Sequence, residues 1–143
     1  MPFPVESSLS GVGRELAPDE VMTCGRAFVV PKEWAGQRIL MHFGAVDWHA
    51  IVNVNGRLVG EHKGGFDPFT VDVTEAVRGE GKPNVVTVEI KDPTDTGGQP
   101  RGKQWLKPRE IWYTRTSGIW QTVWMEAVNP DCSITGLTVQ GSA

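Results

Sequence analysis

Polar and apolar residues alternate with a period of two along most of this chain, in short runs broken by glycine and proline. That is the pattern of half-buried strands rather than helices. The cleanest run is 48–54: Trp48, Ala50, Val52 and Val54 share one face, His49, Ile51 and Asn53 the other. Residues 22–30 predict an earlier strand that stops at Pro31, and 38–46 predict another after the turn 31–36. Asn55-Gly56 predicts a type I′ hairpin, whose two central positions need positive φ, with 57–60 as the short returning strand. After a turn at Gly64-Gly65 come a strand at 69–73, one helical turn at 74–77 capped by Asp72 or Thr74, and a strand at 84–92. Residues 93–108 show no periodicity and carry Gly97, Gly98, Pro100, Gly102 and Pro108. A loop of that length in a compact domain is usually functional or mobile. The last main strand, 119–128, puts Ile119, Gln121, Val123 and Met125 on one face and Trp120, Thr122, Trp124 and Glu126 on the other, and Asn129-Pro130 ends it.

No apolar spacing of three and four runs over ten residues, so the expected class is all-β: an antiparallel β-sandwich of the jelly-roll kind. Alternation resumes at 133–140. The expected division is a sandwich over 1–130, with 131–143 as linker and first strand of a following domain.

Composition adjusts this picture in a few places. The 143 residues suit one domain, able to bury roughly two-thirds of its unfolded surface. Six Trp and five Phe supply flat apolar faces, for a core or for stacking on sugars or other ligands. The net charge of −3, with no basic block, argues against a nucleic-acid partner. No run of 18 apolar residues predicts a membrane-spanning helix. Residues 1–6 lack the basic and apolar regions of a secretion signal, and localisation stays open. Cys24, within a strand, is expected to be a buried free thiol. Neither it nor Cys132 has a neighbour at metal-ligand spacing, and no metal or cofactor is expected.

The titratable residues do not assemble a catalytic constellation. The seventeen Asp and Glu are scattered, mostly at turns and strand ends. Asp47 reads as a turn residue bonding nearby backbone N–H groups. His42 and His49, on what read as neighbouring strands, could form a metal pair, but with no third ligand they and His62 read as packed or edge-exposed side chains. The strongest binding candidate is Arg101-Gly102-Lys103-Gln104-Trp105, with Trp112 close behind. The stretch combines cations, an amide and aromatic rings: Arg101 and Gln104 can hydrogen-bond several ligand oxygens, Lys103 adds a second cation, and Trp105 and Trp112 can cover an apolar ligand face. The competing reading is that this loop only packs against another domain. Trp48, Trp120 and Trp124 lie on strands and are expected in the core or between domains.

An ordered set of motifs spans nearly the whole chain. It runs from Glu6-Ser7-Ser8-Leu9-Ser10-Gly11 through Pro31, Trp34 and Gly36 to Leu40-Met41-His42-Phe43-Gly44-Ala45-Val46-Asp47-Trp48. It continues with Val54-Asn55-Gly56, Val59-Gly60, Gly64-Gly65-Phe66-Asp67-Pro68-Phe69 and Ser117-Gly118-Ile119-Trp120. The set resembles the galactose-binding-like sandwich domain near the start of family 2 glycoside hydrolases, the β-galactosidase, β-glucuronidase and β-mannosidase group. The resemblance implies a non-catalytic domain that buttresses a catalytic barrel and shapes its substrate pocket. The barrel, which carries the acid/base and nucleophile glutamates of a retaining enzyme, has no counterpart here. The partners it implies are a carbohydrate, the barrel and an intervening sandwich domain. In the galactosidase and glucuronidase branches the position five residues before the Ser of Ser-Gly-Ile is typically a sugar-contacting Asp; here it is Trp112, a stacking surface in place of a carboxylate. The family's domain also starts upstream of Met1, so an exposed sheet edge and a homodimer formed through it, or by swapping the arm 2–13, are expected. A free-standing carbohydrate-binding module and a purely structural interaction domain are the alternatives.

Overall fold

The computed structural model describes residues 3–141. Met1, Pro2, Ser142 and Ala143, at the tips of the expected arm and trailing segment, lie outside the described residues. The chain forms β1 (Val21–Val29), β2 (Arg38–Phe43), β3 (Val46–Asp47), β4 (His49–Val54), β5 (Arg57–Lys63), β6 (Phe69–Asp72), β7 (Pro83–Lys91), β8 (Gly118–Ile119) and β9 (Val123–Val128). One sheet has the order β1-β7-β4-β5, the facing sheet β6-β2-β9, and β3 pairs with β8 between them. Every strand ladder is antiparallel, so the expected all-β sandwich is the fold.

The alternation seen in the sequence builds the core. Ala50, Val52 and Val54 of β4 and Val88 and Ile90 of β7 are buried against Ile39, Met41 and Phe43 of β2 and Val71 of β6. Each large side chain among them contributes about 1.5–3 kcal/mol by leaving water. Asn55 (φ 53) and Gly56 (φ 81) make the expected turn between β4 and β5. The Asn55 side chain also bonds Asn84 and the backbone of Ala76 and Val85, tying the hairpin to β7. Of the two capping candidates at 74–77, Asp72 accepts from the Thr74 N–H and hydroxyl, above a 3₁₀ turn at Thr74–Ala76.

Several expectations change. The strands at 38–46 and 119–128 are each broken, at Gly44-Ala45 and at 120–122. The breaks face each other: Gly44 N–H donates to Thr122 O at 2.9 Å, and a Cβ on Gly44 would lie 2.8 Å from Gln121 Cβ. At this crossing both chains leave the β6-β2-β9 sheet and form the small β3–β8 ladder. The strand at 57–60 extends to Lys63, with a register shift at Val52/Asn53. Residues 133–140 form no strand, and Ile134, Leu137 and Val139 are exposed. His42 and His49 sit in different sheets, not on neighbouring strands. His42 bonds Thr70 and Glu126 and stacks on Trp124, while His49 bonds Glu61. Trp124 is exposed, and Trp48 and Trp120 are half-buried, so none of the three is in the closed core.

The sandwich is closed on one side and open on the other. β5 and β6 approach so closely that a Cβ on Gly60 would collide with Val71. Opposite them, among the described residues β1 pairs only with β7 and β9 only with β2. Between these two unpaired edges runs a cleft of about 770 Å³, lined by Met22, Cys24, Phe28, Phe43, Val123 and Met125 among others.

Candidate functional site

The loop that leaves β7 is rooted in buried polar contacts. Asp92 accepts from the Thr94 N–H at 2.7 Å and from the Ser117 hydroxyl at 2.6 Å. Arg115, almost fully buried, donates to Leu16 O and pairs with Glu15 at 2.8 Å. Glu6 accepts from Ser117 N–H, so the irregular lead-in is locked onto the same root. Further out, Trp105 N–H donates to Tyr113 O and Tyr113 N–H to Lys103 O, zipping the two limbs of the loop together.

Gln104 is the pivot. Its Nε2 donates to Asp47 Oδ2 at 2.7 Å and its Oε1 accepts from Thr116 N–H. Both ends of the amide are thus engaged within the chain. Asp47 lies against Gly65, where a Cβ would displace the carboxylate, and Trp120 Nε1 donates to Gly65 O at 2.8 Å. Burial pushes the Asp47 carboxyl up to about 7; the bond from Gln104 opposes the rise, and the charges of Asp92 and Glu6 add to it. Asp47 thus bonds a distant side chain rather than the local backbone expected of a turn residue, and is the buried acceptor that fixes the loop.

The outer part of the loop is an aromatic and cationic cluster. Arg101 Cζ lies 5.4 Å from the Trp105 ring centroid and 5.5 Å from that of Trp112. The two indoles meet edge to face at 4.6 Å and 80°, a favourable quadrupole arrangement. Arg109 Cζ stands 5.9 Å from the same Trp105 ring, and Lys103 Nζ 5.5 Å from the Tyr113 ring. Arg101 also faces Asp95 at 3.6 Å. The predicted Arg101, Trp105 and Trp112 therefore share one cluster, while Lys103 pairs with Tyr113 on the joined limbs of the loop and Gln104 bonds inward to Asp47. Arg109 and Asp95 belong to the cluster, and Tyr113 to the neighbouring pair; the density of Arg, Lys, Trp and Tyr within 101–113 was the available signal. Phe66 of the Gly-aromatic turn abuts the loop, 3.9 Å from a Cβ built on Gly102, and meets Trp120 edge to face. Among the described residues no group of three His, Cys, Asp or Glu could hold a metal ion.

Fold and loop together define a class: a β-sandwich carrying an anchored aromatic and cationic loop. The chain belongs to the family described as glycosyl hydrolases family 2, sugar binding domain, which matches residues 9–128. It is 34% identical over 106 residues to a β-glucuronidase of Paenibacillus borealis, covering 72% of this chain and 18% of that protein. It is 32% identical over 102 residues to a β-galactosidase of Thermoanaerobacter pseudethanolicus, covering 71% of this chain and 13% of that one. Among solved structures, a Bacteroides uniformis β-glucuronidase superposes with a TM-score of 0.63 at 24% identity, over 76% of this chain and 12% of the other; this likeness concerns the fold. The chain thus spans under a fifth of the length of these relatives.

Proposed function

We propose that this chain is the non-catalytic domain of a family 2 glycoside hydrolase, and that its 93–116 loop forms part of the rim of the substrate pocket in hydrolysis of O-glycosyl bonds. The observation that carries the reading is the Arg101–Trp105–Trp112 cluster, held outward by the bond between Gln104 and buried Asp47. Trp105 and Trp112 offer stacking faces, and Arg101 and Lys103 offer donors to hydroxyls. Gln104 acts by positioning them. Residues 131–143 lead into a following domain that covers Ile134, Leu137 and Val139, and a catalytic barrel lies beyond. Incubation of the chain with aryl β-galactoside, β-glucuronide, β-mannoside and β-glucoside is expected to give no turnover. Turnover lost on mutating one of its own carboxylates overturns the reading. Monosaccharides are expected to bind weakly or undetectably, with Kd of about 1 mM or weaker, because this chain alone offers few contacts to offset association costs. A micromolar Kd would instead favour a free-standing binding module.

A second reading concerns assembly and rests on the open side of the sandwich. The unpaired edges of β1 and β9, with the apolar cleft between them, suit edge pairing with a second copy of this chain. The arm from Phe3 to Gly13 fits a swapped dimer less well, since Val5 and Glu6 are bonded to Ser117 of their own chain. Light scattering over a range of concentrations is expected to show dimers; a monomer at the highest concentration removes this second reading.

A further inference from the structure

The turn between β4 and β5 joins an asparagine to a glycine, Asn55-Gly56. That dipeptide is chemically labile. The nitrogen of the following residue attacks the asparagine carboxamide carbon, and glycine, with no Cβ, leaves the approach open. Gly56 is exposed, and a Cβ built on it meets nothing within 4 Å. The other asparagines, Asn53, Asn84 and Asn129, precede Val54, Val85 and Pro130. A branched side chain hinders the same attack, and a proline nitrogen has no proton to lose.

Asn55 is also held unusually firmly. Its Nδ2 donates to Ala76 O and to Asn84 Oδ1, each at 2.8 Å, and its Oδ1 accepts from Val85 N–H at 3.1 Å. Asn84 is fully buried and held in turn: its Oδ1 also accepts from Arg78 N–H, and its Nδ2 donates to Lys82 O. Three bonds to the segment 76–85 thus pin the carboxamide and keep it from swinging onto the Gly56 nitrogen.

We propose that Asn55 is a deamidation site that the fold keeps shut, and that it reacts only when the β4–β5 hairpin lifts from β7 and from the 3₁₀ turn at Thr74–Ala76. Once the side chain is free, the Gly56 nitrogen loses its proton and bonds to Asn55 Cγ. The bond from Cγ to Nδ2 breaks, Nδ2 leaves as ammonia, and a five-membered succinimide closes. Water then adds to either carbonyl and opens the ring to aspartate or isoaspartate. The net reaction consumes a water and releases an ammonia. Neither product fits the place that asparagine left. An aspartate oxygen in place of Nδ2 meets two acceptors, Ala76 O and Asn84 Oδ1, where a donor stood. Isoaspartate adds a methylene to the backbone of the two-residue turn that sets the register of β4 with β5. A brief opening is thereby converted into a lasting change.

The test compares the full chain, the full chain in urea above its midpoint, and a synthetic peptide of residues 51–60, all at mildly alkaline pH. Mass spectrometry of the tryptic peptide 39–57 follows Asn55, with Asn53 in the same peptide as the control. The folded chain is expected to deamidate at least about a hundredfold more slowly than the peptide, which corresponds to about 2.8 kcal/mol of opening. The chain in urea is expected to match the peptide, and urea below the midpoint to raise the folded rate progressively. Asn84→Ser, which loosens the clamp, is expected to speed the reaction of the folded chain by up to about tenfold, the size of one lost hydrogen bond. If that variant does not fold, the urea series on the natural chain carries the test alone. Asn55→Asp is expected to lower the urea midpoint with unchanged slope. A folded chain that deamidates at the rate of the peptide overturns the lock, and an Asn55→Asp chain with the original midpoint overturns the permanence of the change.

Discussion

Asp47 shows how one buried carboxyl can anchor a loop from beneath. Its carboxyl is raised to about 7, mainly by burial, against 3.8 for the free group. The folded state therefore binds more protons than the unfolded chain between these two values. The resulting penalty is absent below about pH 4, grows as pH rises through this window, and is complete above about pH 7. Asp47→Asn is expected to leave stability unchanged at pH 4 and to raise it by about 1–3 kcal/mol at pH 8, given about 1.4 kcal/mol for each tenfold change in proton affinity and allowing for relaxation. Urea unfolding at the two pH values checks this, and parallel pH profiles for the two proteins would refute it. The sequence placed Asp47 at a strand end and read it as a turn acceptor. Its real partner, Gln104, is 57 positions away, and no local pattern announces a contact of that range. By contrast Arg101, Lys103, Trp105 and Trp112 were legible because they cluster within one short stretch, where composition alone reveals the chemistry.

The strands were legible for a related reason. Alternation is local, and it located β1, β4, β7 and the type I′ turn to within a few residues. What it missed are the breaks in the strands at 38–46 and 119–128, where alternation continues but hydrogen bonding moves from one sheet to the other. That switch depends on the close approach of Gly44 to Gln121 and Thr122, a meeting of two distant segments. Gly44→Val forces a branched side chain against the Gln121 Cβ, whose atoms belong to the facing segment. It is expected to cost about 1–3 kcal/mol through overpacking, read as a lower urea midpoint with unchanged slope. A neutral effect would mean that the crossing can widen freely. Edges and open sides lie further still from sequence, because they depend on which strands find no neighbour.

At the scale of the whole molecule, the asymmetry of the sandwich puts a thiol where chemistry can reach it. Cys24 lines the cleft between β1 and β9, half-buried, and burial raises its pKa above the usual 9. Alkylation proceeds through the thiolate, so Cys24 should react slowly with iodoacetamide at neutral pH and faster as pH climbs. In a Cys132→Ser background this one sulfur becomes a clock for the seam. Whatever strand closes the gap, the labelling rate is expected to fall in step with its occupancy. If the chain pairs with itself there, the rate slows as protein concentration rises; a constant rate across concentrations that scatter light as dimers would put the contact on another face.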